Sequence, residues 1–373
     1  MPYYAQRWQR AQDAMRRDGI DAVVLAPSAD LYYMSGYAAK PTERFTGFVL
    51  PAAGGPSLVT PAFELARLST EFQAAVRCRT WAETDDPLRL TAEILRAPGG
   101  GGRASGRRHI AAANQMWSEF LLGLQALMPD AKWSPAGLVL TPLRMVKDDT
   151  ERRLLAEAQV LAEEALRHLI EAGFAGKTER AVAAALVDAR RAVGLDPTGS
   201  AGIIGSGPNG ASPHHMNSDR VIARGDAIVI DFGGGHHGYR ADITRTFHVG
   251  PATGEFTRVY ETVRAANAAA FDAIRPGATC QSIDAAGRTV IERAGYGEYF
   301  THRLGHGIGL DGHEPPYMIA GNTLPLAVDM TFTDEPGVYL PGNFGVRIED
   351  VVTVTAAGAE RLTSFPREIM IVD

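Results

Sequence analysis

Apolar and polar residues follow two different rhythms along this chain, and the change from one to the other divides it. Residues 4–17 carry apolar side chains at helical spacing, and DAVVLA (21–26) then reads as a short buried strand. FTGFVLP (45–51) and SLVTP (57–61) flank the turn signal AAGG and predict a pair of strands. FELARLSTEF (63–72) and PLRLTAEILRA (87–97) have helical periods, with the strand candidate RCRTW between them. HIAAAN leads into a further helix over 116–128. These elements predict an α/β domain over residues 1–143.

A proline-containing connection, TPLRMVKD (141–148), precedes a much longer helical run, DDTERRLLAEAQVLAEEALRHLIEAG. Asp148 or Asp149 can cap it, and Glu151 in its first turn suits the helix dipole. A second helix is predicted over 178–193 with Thr178 as N-cap. From residue 200 strands dominate: AIVIDFG, YRADITRTFHV, DMTFTDE, GVRIEDVVTV and REIMIVD, interrupted by helices at 255–274 and 280–294. Strand runs alternating with paired helices, without a βαβ repeat, predict an α+β domain over 144–373 with a largely antiparallel sheet. The order of elements also hints at a two-fold duplication.

Composition narrows the function more than the fold. At 373 residues two domains are the default. A net charge of −6 argues against nucleic acid, which needs a basic face. No apolar run approaches the roughly 20 residues of a membrane span, and the charged start has no apolar core of the kind a secretory leader carries. Cys78 and Cys280, the two cysteines, read as reduced packed thiols. A soluble cytoplasmic protein is expected. The run PGGGGRASGRR (98–108) lacks the Gly-Lys-Ser/Thr ending of a phosphate loop and reads as a surface loop.

The chemistry is concentrated in the last part of the chain. Asp231 in IDFGG, Asp242 in RADITRTF, His306 in RLGHGIG, Glu335 in TDEPGVY and Glu349 in VRIEDVV each sit beside apolar or glycine residues. Any one acid of this kind is usually a solvated charge or a turn cap. Four converging carboxylates, however, repel, and burying them unpaired costs several kcal/mol each. Two divalent cations cancel that charge, and a pair roughly 3.5–4 Å apart is a standard device for hydrolysis. Asp231 is expected at the end of its strand, with Asp242 on the next strand across GGGHHG. Glu335 and Glu349 are expected on strands joined by PGNFG. Oxygen-rich, thiol-free ligation favours manganese, with cobalt, zinc or iron as alternatives.

The fragments GSGPNGASPHH, IDFGG…GYRADITRTF, HRLGHGIGLDGHE, DEPGVY and GVRIED resemble, in order, those of the Xaa-Pro peptidase family (prolidase and aminopeptidase P). The resemblance implies a pita-bread metallopeptidase catalytic domain behind a creatinase/prolidase-type N-terminal domain. It implies that Asp231 binds one metal, that Asp242 and Glu349 bridge, and that His306 and Glu335 bind the other. By the same resemblance a hydroxide between the metals is the nucleophile and Glu335 shuttles its proton. His214 and His313 would stabilise the tetrahedral intermediate or protonate the leaving nitrogen, with His215 a weaker neighbour. His302, Tyr339 and Arg347 would surround the proline ring, Arg347 also steadying a metal carboxylate from the strand of Glu349. Asp231 and Tyr239 would receive the substrate's α-amine.

The substrate implied is a small peptide with proline in second position, and the assembly implied is a homodimer. Many prolidases carry an arginine four residues after the histidine matching His313, where this chain has Tyr317. The cation for the proline carboxylate is therefore sought elsewhere, at Lys40 or Arg44. DGHEPPY and FTDEPGVYLPGNFGVRIED are most similar to bacterial dipeptidases that also lack that arginine, so an Xaa-Pro dipeptidase is expected. The alternatives are an aminopeptidase P acting on longer peptides, a metal-free creatinase-like enzyme, a metal-dependent lyase or hydrolase on a small non-peptide substrate, and a pita-bread binding module without activity. The intact ligand set argues against the metal-free and binding-module readings.

Overall fold

A computed structural model describes residues 2–97, 107–197 and 200–373. Most of the glycine-rich run read as a surface loop, 98–106, lies outside the described residues. The chain divides into two units, Met1–Arg144 and Met145–Asp373.

The first unit runs α1 (Pro2–Asp18), β1 (Ala22–Leu25), α2 (Ala29–Ser35), β2 (Gly47–Pro51), β3 (Ser57–Pro61), α3 (Thr70–Ala75), β4 (Arg77–Trp81), α4 (Pro87–Arg96), β5 (His109–Ala112), α5 (Ser118–Leu127), β6 (Lys132–Pro135) and α6 (Gly137–Met145). Its six strands form one mixed sheet in the order β4-β3-β2-β1-β5-β6. The central strand β1 is buried along its length. Helix α2 was not anticipated, although Ser28 caps its start and Gly36 closes it at φ 71°. The single helix expected over 63–72 is two pieces. A 3₁₀ turn covers Ala62–Arg67, and α3 starts afresh where the Ser69 side chain accepts from Phe72 N. The connection expected at 141–148 is partly helical, because α6 continues through Pro142. The carbonyl that Pro142 leaves unbonded belongs to Leu138, which is exposed to water.

The second unit opens with α7 (Asp149–Glu171), closed at its start by a capping box between Asp148 and Glu151. There follow α8 (Glu179–Ala192), β7 (Ile203–Ser206), β8 (Ala227–His236), β9 (Tyr239–Val249), α9 (Gly254–Ala273) and α10 (Cys280–Arg293). The remaining strands are β10 (Gly305–Gly307), β11 (Glu314–Met318), β12 (Thr331–Asp334), β13 (Gly337–Leu340), β14 (Phe344–Arg347), β15 (Asp350–Thr355), β16 (Gly358–Arg361) and β17 (Met370–Val372). One sheet has the order β17-β9-β8-β7 and another β11-β10-β12-β15-β16, while β13 and β14 form a separate hairpin.

Each helix pair covers its own sheet. Ala158, Leu166 and Leu169 of α7 and Leu186 of α8 bury against Ile230, Ile243 and Phe247. Val259 and Val263 of α9 and Ile283 and Ile291 of α10 bury against Phe332, Val352 and Val354. Removing side chains of this size from water contributes about 1.5–3 kcal/mol each. Arg245, fully buried in β9, ties the two halves together. It donates to Asp350 Oδ1 and to the Glu349 carbonyl, both at 2.7 Å. Among the described residues no helix is long and apolar enough to cross a membrane.

Candidate active site

Strands β8 and β9 close through His237 and Gly238, both at positive φ (48° and 88°), as a two-residue hairpin turn of this hand requires. Asp231 lies inside β8 and not at its end, because the strand runs on through Gly233–Gly235. It stands opposite Thr244, and Asp242 stands opposite Gly233. With a side-chain period of two, the aspartates are diagonal neighbours on one face of the hairpin.

The two glutamates meet by the route expected, on the arms of one long hairpin. PGNFG closes the β13–β14 hairpin, whose register (Gly337↔Arg347) continues without a shift from that of β12 and β15 (Asp334↔Asp350), so it joins the two arms that carry the glutamates. Glu335 follows β12 and Glu349 precedes β15, whose ladder ends at the pair Asp334↔Asp350. The glutamates therefore stand side by side just past that pair. Pro336 has no N–H to give and interrupts the ladder, although its carbonyl accepts from Ile348 N across the hairpin (3.4 Å) and pairing resumes at Gly337. The same break separates Arg347, the last residue of β14, from Glu349. Glu349 N then donates to the Thr244 carbonyl (3.1 Å), which brings the glutamate pair to the aspartate pair.

His306 occupies β10 between two glycines that the packing demands. A Cβ on Gly305 would overlap the Thr333 carbonyl oxygen, and one on Gly307 would overlap that of Pro315. The imidazole Nδ1 lies 3.1 Å from the Gly307 carbonyl, to which it can only donate, so in the neutral ring Nε2 carries a lone pair. That lone pair faces Glu335 Oε1 at 3.3 Å and Asp242 Oδ2 at 3.9 Å. Burial pushes His306 down to about 3, which removes the proton that would otherwise join these acceptors.

Negative charge dominates this donor set. Three groups of ligand atoms lie within 4.8 Å of one another: Asp231–Asp242–Glu349, His306–Glu335–Glu349 and Asp242–His306–His313. Burial, then neighbouring carboxylates, pushes Asp242 and Glu349 well above the usual carboxylate range. Burial pushes Glu335 up to about 7. One fully buried guanidinium, Arg347, opposes four carboxylates, and it bonds directly to Asp231. Hydroxyls hold the acids in place: Thr244 donates to Glu349 Oε2 (2.6 Å) and Thr333 to Glu335 Oε1 (3.1 Å). His306 and Glu349 form a floor 2% exposed, while Asp231, Asp242 and Glu335 retain 21%, 17% and 14% side-chain exposure, so solvent reaches the acids. The oxygen-rich set with one imidazole lone pair fits hard or borderline divalent ions.

Arg347 begins a hydrogen-bonded chain along one wall. Its Nη1 donates to Tyr339 Oη (2.8 Å), whose hydroxyl must then donate to His302 Nε2 (2.8 Å). His302 Nδ1 in turn donates to the Arg303 carbonyl at 2.7 Å. Burial holds His302 down to about 4 and Tyr339 up to about 12, so both rings are neutral.

Residues 153–356 match the model of metallopeptidase family M24, and residues 7–146 match the creatinase/prolidase N-terminal domain. The chain belongs to metallopeptidase family M24. Across 99% of its length it is 41% identical to a probable dipeptidase PepE of Mycobacterium tuberculosis, covering 96% of that protein. A crystal structure of dipeptidase PepE from Mycobacterium ulcerans superposes with a TM-score of 0.91 at 40% identity, covering all of this chain and 98% of that one. An Xaa-Pro dipeptidase of Pyrococcus horikoshii is 32% identical over 95% of the chain and 96% of its own length.

Other expected site residues of this M24 metallopeptidase fall in varied surroundings. His214 is exposed on the loop whose Pro213 carbonyl accepts from Arg347 (3.4 Å), within electrostatic reach of His302 and His313. His313 stacks on His306, with ring centroids 3.7 Å apart, which places it among possible ligand atoms as well as beside them. Tyr239, at the turn end of the hairpin, donates to Glu151 of the α7 capping box at 2.9 Å. His215 bonds to Glu179 (2.7 Å). Lys40 is exposed, and Arg44 pairs with Glu83 and Glu43.

Supporting residues escaped the sequence reading. Glu179, the first residue of α8, accepts from Ser206, Asn209, His215 and Ser218 and so pins the loop that carries His214. Gln159 of α7 accepts from Asp242 N at 3.3 Å. Lys147 and Glu314, both buried, pair at 3.1 Å beside His313. The one available signal was Glu179 directly after its Thr178 cap, which by itself reads as an ordinary first-turn acid.

Proposed function

We propose that this metallopeptidase is an Xaa-Pro dipeptidase that works with two divalent cations, manganese best suited to its donors. The observation that carries the reading is the pattern of sharing: Asp242, His306 and Glu349 each belong to two of the candidate ligand groups, and Glu349 joins the group of Asp231 and Asp242 to that of His306 and Glu335. Asp231 would complete one position, and His306 with Glu335 the other. When bound, such a pair lowers the pKa of water towards neutrality and polarises the scissile carbonyl.

The chain's own residues supply the rest. Glu335 lies at the solvent-reached side of the acids, where burial raises its pKa and cations oppose the rise, a balance suited to receiving and returning a proton. His313 Nδ1 accepts from Arg303 Nη2 at 3.2 Å, because a guanidinium can only donate. The ring hydrogen is thereby held on Nε2, available to the leaving nitrogen. His214, within electrostatic reach of His302 and His313, would donate to the carbonyl oxygen. The neutral rings of His302 and Tyr339, centroids 5.5 Å apart, offer flat faces to a pyrrolidine ring. A bond to proline is a tertiary amide without an N–H, so this wall, and not a hydrogen bond to the scissile nitrogen, would select it.

The test is hydrolysis by manganese-loaded protein of Xaa-Pro dipeptides, Xaa-Pro-containing tripeptides and Xaa-Ala controls. Cleavage of the Xaa-Pro dipeptides at least tenfold better than both other sets is expected. Equal rates on Xaa-Ala remove the proline assignment, and faster tripeptide cleavage favours an aminopeptidase.

A further inference from the structure

We infer that Arg303 is the cation that receives the free C-terminal carboxylate of a dipeptide substrate, a role that rests on the dipeptidase reading above. Arg303 lies three residues before His306, and its guanidinium sits 4.3 Å from the centroid of the Tyr317 ring. Tyr317 is the register partner of His306 across β10 and β11. Directly paired residues of an antiparallel ladder point to the same face, so the Tyr317 ring stands on the face that presents the His306 imidazole to the acids. The guanidinium therefore lies over that ring at the rim of the site. It is partly exposed, beside the exposed His313.

Its hydrogen-bonding capacity is largely unspent. One nitrogen donates to His313 Nδ1 at 3.2 Å. Among the described residues no carboxylate lies within ion-pair distance of Arg303, whereas Arg288 pairs with Asp284, Arg347 with Asp231 and Arg361 with Asp350. Arg347 is committed: its Nε donates to Thr244, Nη1 to Tyr339 and Pro213, and Nη2 to Asp231. Arg303 thus keeps a free fork beside the site. A planar guanidinium with five N–H donors matches a carboxylate bidentately, and stacking on an aromatic ring fixes its plane beforehand.

Substrate chemistry supplies the distance argument. In a dipeptide the carboxylate carbon is two bonds from the nitrogen released on cleavage. Whatever recognises it must lie next to the group that serves that nitrogen. Arg303 is bonded to His313, the side chain placed there. In a longer peptide an amide carbonyl replaces the carboxylate and the charge is lost, so the same contact favours dipeptides. The pairing also couples recognition to chemistry, since the guanidinium that binds the carboxylate holds the hydrogen on the far side of the His313 ring.

The experiment compares wild type, Arg303→Met and Arg303→Lys, all manganese-loaded and checked for metal content, on Ala-Pro, Ala-Pro amide and Ala-Pro-Ala. The readout is the ratio of kcat/KM for the acid over the amide. Wild type should favour the acid by about 10²-fold. Arg303→Met should collapse that ratio towards one, with the loss on the acid chiefly in KM. Arg303→Lys should restore part of it, keeping the charge without the fork. If Arg303 only orients His313, both substrates lose rate together and the ratio stands; that result overturns the inference while leaving the dipeptidase reading intact. Should wild type cleave none of the three, the dipeptidase reading fails and the inference falls with it.

Discussion

Glu179 offers the sharpest test of how the site is held together, because it touches no reacting group and yet organises one. The carboxylate is fully buried. It accepts from Ser206 N and Oγ (2.9 and 2.7 Å), Asn209 Nδ2 (3.0 Å), His215 Nε2 (2.7 Å), and Ser218 N and Oγ (3.0 and 2.6 Å). Burial alone pushes such a group up; the donors from Ser218, Ser206 and His215 overcome it and leave the carboxyl at about 2 against an ordinary 4.5. At about 1.4 kcal/mol per unit, the ionised form is worth about 3 kcal/mol to the folded state. The sign follows from the direction. A depressed folded pKa contributes stability that is fully present above the unfolded value and is lost as pH falls through the folded one.

In Glu179→Gln one oxygen becomes an NH₂ facing donors, so the backbone N–H of Ser206 or Ser218 loses its acceptor, at about 1–3 kcal/mol. Urea titrations of metal-free protein should show the variant about 3 kcal/mol less stable in the transition of the second unit at pH 7. The gap should shrink to about half by pH 3. Because the loop from Ser206 to Ser218 carries His214, kcat should fall at least tenfold, to order of magnitude, with metal content unchanged. A gap under about 1 kcal/mol at neutral pH, or one that widens as pH falls, would refute the reasoning.

The ligand assignment makes Asp242→Ala and Glu349→Ala lose metal and turnover together, by elemental analysis and dipeptide assay; full activity in either contradicts it. His214→Ala should retain metal and lower kcat by about 10²-fold or more, and loss of metal would instead make His214 a ligand. Tyr339→Phe removes the hydroxyl between Arg347 and His302 and leaves a buried donor and acceptor unpaired. It should cost about 1–3 kcal/mol by chemical denaturation and raise KM for Xaa-Pro more than for Xaa-Ala; equal effects on both substrates would remove Tyr339 from the proline wall.

Much of this architecture was legible because local signals agreed with it. Asp148 before Glu151 and the Thr178 cap each name a helix and its start, and the apolar run before Asp231 names a strand but not its end. What resisted reading was non-local. Glu349 meets Thr244, 105 residues earlier, to join the two hairpins, and nothing near either residue announces that contact. The strand through Gly233–Gly235 looked like a loop because glycine is a poor strand former. Yet a Cβ at Gly233 would overlap the Ala241 carbonyl, so close backbone approach explains that glycine. Glu179 was invisible for a similar reason, since its partners lie far along the chain.

The site's geometry also explains why the acids tolerate each other's company. Two sheets, each packed on its own helix pair, meet where Thr244 pairs with Glu349. Each sheet contributes one rigid pair of carboxylates at its edge of that meeting. Rigid strands hold ligand atoms in place where loops would let like charges drift apart. That rigidity has a second layer: Arg245 binds the Glu349 carbonyl and Asp350, and Asp350 is paired in turn with Arg361 and Arg367. The acids that solvent reaches share one buried guanidinium, Arg347, while Asp350, the residue after Glu349, has three. Positive charge built into the protein thus fixes the backbone from behind.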